Sequence, residues 1–127
     1  MIYLDTSVAL AHLLAEDRRV PERLWTETLV ASRLLDYELW NRLHRLGAAQ
    51  SHGDAARDLL ARVAIVELAP EVLARALEPF PAPVRTLDAL HLASAEYLRA
   101  ASAKIEIATY DDSMATAAKA LGFVVIA

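Results

Sequence analysis

A chain of 127 residues that is 56% hydrophobic and 24% charged has enough apolar material to bury one core and too much of it to stay disordered. Cysteine is absent, which excludes a disulfide frame, a thiolate zinc site and a cysteine nucleophile. The net charge of −4 argues against wholesale electrostatic attachment to nucleic acid. No signal peptide or spanning segment is legible, because His12 and then Glu16-Asp17 interrupt the longest early apolar stretch, so a soluble, cytoplasmic protein of one domain over 1–127 is expected.

The chain opens with Ile2-Tyr3-Leu4, a run suited to a buried strand. Asp5, Thr6 and Ser7 follow, all residues that satisfy free backbone donors at a helix start, and an apolar helical pattern runs from Val8 to Leu14. Asp5 therefore stands at the carboxyl end of a strand, where open α/β sheets place their ligands, and serves either as a helix cap or as a site residue. The polar stretch Glu16-Asp17-Arg18-Arg19 precedes a short helix from Pro21 to Trp25, and Thr28 to Ser32 is a second strand. A long helix from Arg33 to Leu46 carries the stripe Leu35, Leu39, Leu43, Leu46 and stops at Gly47. Glu38 lies at the margin of that stripe, either paired with Arg42 one turn on or turned toward a site. Eight of the eleven arginines fall between Arg18 and Arg62, which reads equally as a basic face beside an acidic site and as solvated helix surface.

A helix is expected from Asp54 to Arg62, a third strand from Val63 to Leu68, and a helix from Pro70 to Leu77. Glu78 to Pro83 is too rich in proline for helix or central strand and reads as an ordered loop. Thr86 caps a largely apolar, buried helix from Leu87 to Ala101, with Asp88 in its first turn and His91 one turn later; His91 reads as a core histidine more readily than as a ligand. Lys104 to Ala108 alternates like a fourth strand. Asp111 and Asp112 then precede a helix from Ser113 to Leu121, closed by Gly122, and Phe123 to Ile126 is a fifth strand. Asp111 thus repeats the strand–carboxylate–helix arrangement of Asp5.

Strands alternating with helices indicate a parallel sheet with helices on both faces. Asp5 and Asp111 then share one sheet edge, and two helices can bring Glu38 and Asp88 over it. Converging carboxylates repel one another without cations between them, and hard oxygen donors of this kind suit Mg²⁺ or Mn²⁺ and phosphodiester cleavage.

The segments Ile2-Tyr-Leu-Asp-Thr-Ser7, Ala31-Ser-Arg-Leu-Leu-Asp-Tyr-Glu38, Thr86-Leu-Asp-Ala-Leu-His-Leu-Ala93 and Ala108-Thr-Tyr-Asp111 together resemble the PIN-domain ribonucleases, specifically the VapC-type toxins of toxin–antitoxin pairs. The resemblance covers essentially the whole chain. It implies a PIN-like three-layer α/β/α sandwich with a five-stranded parallel sheet in the order 3-2-1-4-5. It implies Asp5, Glu38, Asp88 and Asp111 as a catalytic acidic quartet, with metal held by Asp5, Asp88 and Asp111 and hydroxyls from Ser7 and Thr109 in support. Asp112 either shares the metal or replaces Asp111. RNA is the implied substrate, Mg²⁺ or Mn²⁺ the cofactor, and the implied partners are a second copy, with Trp25 or Trp40 near the contact, and an antitoxin that plugs the acidic groove with a basic side chain such as Arg. An aspartate-nucleophile phosphatase wants a second acid two residues after the first, where this chain has Ser7, and a receiver domain wants its acidic pair early, whereas the adjacent acids here come last. A non-catalytic binding module of the same fold is the remaining alternative.

Overall fold

The computed structural model describes residues 1–15, 19–101 and 104–127; the polar stretch 16–18 lies outside it. Five strands, β1 (Ile2–Leu4), β2 (Leu29–Ser32), β3 (Val63–Val66), β4 (Glu106–Ala108) and β5 (Val124–Ile126), pair in parallel in the order β3-β2-β1-β4-β5. The expected sheet order is therefore the observed one. Because β1 is central, with β2 on one side and β4 on the other, the strand order reverses beside it, and the crevice at that reversal is where parallel sheets hold ligands.

Successive side chains of a strand point to opposite faces, and β1 divides its residues accordingly. Ile2 and Leu4 enter a core shared with α1 (Thr6–Leu13), α2 (Leu34–Arg45) and α3 (Ala49–Ala61), built on Val8, Leu35, Leu39, Leu43 and Leu59. Tyr3 enters the opposite core with α5 (Thr86–Ala101) and α6 (Asp112–Ala120), built on Leu92, Ala95, Ile107, Met114 and Phe123. A short α4 (Pro70–Ala76) packs on α5. The three layers follow from the strand sequences, since apolar residues on both faces of each central strand require helices on both sides.

Some boundaries differ from the sequence reading. The segment after Pro21 forms a 3-10 turn, Glu22–Thr26, and the third and fourth strands are shorter than expected. Of the α2 stripe, Leu35, Leu39 and Leu43 are fully buried while Leu46 is exposed at the helix end. The predicted glycine stops hold: Gly47 and Gly122 have φ of +65° and +88°, and the next amides, of Ala48 and Phe123, bond back to the Leu43 and Ala118 carbonyls. Helix α5 buries Ala89, Leu92, Ala93 and Ala95 but leaves Leu87 exposed, so it is only partly enclosed.

The largest departure is α3, which begins at Ala49 and not at Asp54. Gly53 hides the first turn from propensity reasoning, since glycine disfavours helix interiors. Packing overrides that preference: Gly53 is buried against Trp40, and a methyl added there would lie 3.4 Å from the indole, at ordinary contact distance. Gly53→Ala should therefore stabilise the protein, by about 0.5–1 kcal/mol in denaturant unfolding; a loss of stability would show the Trp40 contact to be too tight for a side chain.

Candidate active site

The four acids project from the elements the sequence suggested, and each is held differently. Asp5 follows β1 and is 6% exposed. It occupies the cap position of α1, but its side chain makes no cap hydrogen bond. Its Oδ2 instead accepts from the Ser7 hydroxyl at 2.5 Å and from the Thr109 hydroxyl at 2.8 Å. Those hydroxyls in turn accept from the next strand's exit: the Tyr110 amide donates to Ser7 Oγ at 2.9 Å and the Asp111 amide to Thr109 Oγ1 at 3.0 Å. Ser7 and Thr109 thus lash the ends of β1 and β4 together around the Asp5 carboxylate.

Asp111 does cap its helix. Its Oδ1 accepts from the Met114 amide at 2.9 Å, the N-cap arrangement expected of an Asp before α6. Asp112 is the first residue of α6. Both line a polar cleft of about 450 Å³ with Arg19, Thr109 and Tyr110.

Glu38 does not pair with Arg42. Its Oε1 accepts from the Thr6 hydroxyl at 2.9 Å and meets His91 Nε2 at 2.5 Å, so α1 and α5 both reach it. Burial pushes the Glu38 carboxyl up, but the His91 hydrogen bond and charge, with Thr6, outweigh it and hold it below the usual range. Burial pulls the His91 imidazole down, yet the Glu38 hydrogen bond and the charges of Asp5, Glu38 and Asp88 leave it above its ordinary value.

Asp88 is half-buried in the first turn of α5. Burial pushes its carboxyl up, and the charges of Asp111 and Asp5 push it further, against smaller opposing effects from the Arg85 backbone and His91. That pattern identifies Asp88, Asp111 and Asp5 as members of one electrostatic cluster.

Cation fit is decided by the donors. Each of Asp5, Glu38 and Asp111 has one oxygen fixed by the protein, while the other takes no hydrogen bond from a described residue. Carboxylates anchored through one oxygen with the second free are what a hard divalent ion requires of its ligands. As they stand, no three acidic or histidine side chains among the described residues converge on one point. An oxygen-only donor set of this kind suits a hard divalent cation such as Mg²⁺ or Mn²⁺.

His91 is the residue whose place here was not anticipated. The Asp-x-x-His spacing, with the histidine one turn after an acid expected at the site, was the available signal. The arginine cluster resolves toward solvated surface: Arg23 pairs with Glu27 and Glu106, Arg33 with Asp36 and Glu67, and Arg57 with Asp54. An apolar groove of about 800 Å³ lies along the α4–α5 connection, around Leu77, Phe80 and Val84, and none of the four acids lines it.

The PIN domain family model matches residues 2–120 of this chain. The chain is 36% identical to Ribonuclease VapC46 of Mycobacterium tuberculosis, over 99% of this chain and 96% of that protein. It is 31% identical to Ribonuclease VapC47 of the same species, over 98% and 94%. Among solved structures it resembles a chain of a toxin–antitoxin complex from Klebsiella pneumoniae, with a TM-score of 0.71 at 16% identity, covering 100% of this chain and 97% of that one. It also resembles the Mycobacterium tuberculosis toxin VapC20, described as cleaving the sarcin–ricin loop, with a TM-score of 0.68 at 21% identity and coverage of 98% and 97%. At those identities the structural likenesses establish the fold.

A carboxyl with a raised folded-state pKa favours the native state while protonated, and that advantage is lost as pH rises through the folded value. Ionised Asp88 therefore opposes folding at neutral pH. Without divalent ions, Asp88→Asn should raise the melting temperature at pH 7 by roughly a few degrees, and the gain should shrink as pH falls through and below the ordinary Asp range. A variant that melts lower than wild type at pH 7 would mean that the helix-start position outweighs the repulsion.

Proposed function

The chain belongs to the PIN domain family and is a ribonuclease of the VapC toxin type, and from that premise we propose that it hydrolyses RNA phosphodiesters in a divalent-cation-dependent reaction at Asp5, Glu38, Asp88 and Asp111. The observation that carries the proposal is the anchoring pattern at the β1–β4 edge, where Asp5, Glu38 and Asp111 are each held through one oxygen and leave the other available, with Asp88 beside them feeling the Asp5 and Asp111 charges.

The chain's own residues divide the work. Asp5, Asp88 and Asp111 would hold Mg²⁺ or Mn²⁺; Ser7 and Thr109 fix the Asp5 carboxylate and tie it to the backbone that carries Asp111. The chemistry such an ion supplies when bound is acidification of a water and neutralisation of charge on the leaving 3′ oxygen. Glu38, ionised and held from two sides, orients the attacking water through its free oxygen, and in-line attack leaves a 5′ phosphate and a 3′ hydroxyl. Asp111 is favoured over Asp112 as the ligand, because its amide is tied to Thr109 and its carboxylate is fixed by the Met114 amide at the strand exit, while Asp112 already belongs to α6.

The protein is proposed to act in the cytoplasm, as one PIN unit over 1–127, with a cognate antitoxin as its inhibitor. Among the described residues no helix is long and apolar enough to cross a membrane. An arginine of the antitoxin pairing with the free carboxylate oxygens would silence the edge by the same charge complementarity that a cation satisfies. A homodimer is proposed as well. Trp25 and Trp40 are half-buried beneath the guanidinium groups of Arg62 and Arg57, so the exposed Leu73, Leu77 and Leu87 offer more uncovered apolar surface. Light scattering at micromolar concentration should give twice the 13.9 kDa chain mass; a monomer would reject the dimer.

RNA cleavage with Mg²⁺ or Mn²⁺, with and without chelator, tests the reaction. Asp5→Asn keeps a carbonyl oxygen for the Ser7 and Thr109 hydroxyls but removes a negative charge, so cleavage should fall by roughly a hundredfold or more while folding survives. Asp112→Asn should cost much less. Full activity in Asp5→Asn, or cleavage indifferent to chelator, would defeat the mechanism.

A further inference from the structure

His91 is 1% exposed and Tyr3 fully buried, yet both carry polar groups that must be satisfied where they lie. Their bonds form one line across the molecule. The Ser32 amide donates to the Tyr3 hydroxyl oxygen at 3.2 Å, the Tyr3 oxygen lies 2.7 Å from His91 Nδ1, and His91 Nε2 lies 2.5 Å from Glu38 Oε1. Glu38 stands on α2 in one helical layer and His91 on α5 in the other, so the line passes over the end of the sheet and joins the two layers at the acidic edge.

We propose that His91 is a positioning residue for Glu38, with Tyr3 setting the orientation of the imidazole. This deepens the ribonuclease reading above, on which the catalytic part of it rests.

The proton inventory supports that assignment. An ionised carboxylate only accepts, so Nε2 must carry the proton donated to Glu38. In the neutral imidazole Nδ1 is then an acceptor, and the Tyr3 hydroxyl, already accepting from the β2 backbone, supplies the donor. In the imidazolium Nδ1 donates to Tyr3 and Nε2 still donates to Glu38. Either state leaves the same nitrogen on the same carboxylate oxygen.

Glu38 needs such a hold. Its side chain turns about three bonds, and Arg42, one helical turn away, would offer it a competing partner in solvent. Thr6 and His91 both bond Oε1, leaving Oε2 the free atom. Ser32 connects the tether to the helix it serves: its amide holds Tyr3, and its hydroxyl oxygen accepts from the Leu34 amide at 3.1 Å at the start of α2. A histidine that only filled the core would not spend Nε2 on a carboxylate with 24% of its side chain exposed.

The test has a spectroscopic arm and a kinetic arm. In protein with ¹⁵N-labelled histidine, the His91 Nε2 proton should resonate far downfield and exchange slowly, and Glu38→Gln should shift it strongly while Asp112→Asn leaves it in place. His91→Phe, which keeps a ring of similar bulk without a donor, should lower kcat by about tenfold or more with KM for an RNA oligonucleotide little changed. His91→Gln restores an N–H donor toward Glu38 without the Tyr3 bond, and should recover most of the lost turnover even if both variants melt at similarly lowered temperatures. A His91 resonance indifferent to Glu38→Gln, or His91→Gln as impaired as His91→Phe, overturns the proposal. If the wild type cleaves no RNA, the ribonuclease reading fails separately, and the histidine resonance still decides whether His91 holds Glu38.

Discussion

Half-buried Asp88 shares one edge with Asp5 and Asp111, where burial first and then those two charges push its carboxyl upward, and an acidic edge must accommodate such crowding. Like charges brought close in a partly dry setting destabilise the fold that holds them. This chain fixes three of the four carboxylates through different devices: two hydroxyls for Asp5, a helix-start amide for Asp111, and a threonine and a histidine for Glu38. None of these devices is a lysine or arginine; among the described residues, Arg19 is the basic side chain that lines the cleft of Asp111 and Asp112. The edge therefore keeps an electrostatic demand that a divalent cation, or the basic side chain of an inhibitor, would satisfy.

The sheet makes that arrangement possible. Parallel strands expose all their carboxyl ends along one edge, and the reversal of strand order beside β1 opens a gap between the exits of β1 and β4. Asp5 and Asp111 stand at those two exits, and Ser7 and Thr109 join them into one hydrogen-bonded unit. Helices from opposite faces then lean over the gap, α2 with Glu38 and α5 with Asp88. The His91–Glu38 bond joins the two layers there.

Much of this was legible because it rests on local pattern. The run Ile2-Tyr3-Leu4 before Asp5, the stop at Gly47 and the proline-rich loop each carry a short-range physical cause that a sequence displays. The places of Asp5, Asp88 and Asp111 were legible because each stands at or near the start of a helix, whereas Glu38 lies a turn into α2. What could not be read depends on contacts between distant segments. The first turn of α3 was hidden because Gly53 argues against helix until Trp40 is seen packed on it. Glu38 looked like a partner for Arg42 because that pairing is local, whereas its actual partners are 32 and 53 residues away. Asp5 read locally as a helix cap or a site residue; the resemblance put Thr109 in support, and the bond from the Thr109 hydroxyl to its carboxylate crosses 104 residues that no local pattern links.

The claim at the centre of this account is that Asp5, Asp88 and Asp111 together hold a divalent cation. Crystals of the wild-type protein soaked in Mn²⁺ and measured for anomalous scattering address it directly. The account predicts a manganese peak bounded by carboxylate oxygens of these three residues, with Glu38 beside it and Asp112 outside the ligand set. No peak at saturating Mn²⁺, or a peak held elsewhere on the molecule with these carboxylates unmoved, would contradict it.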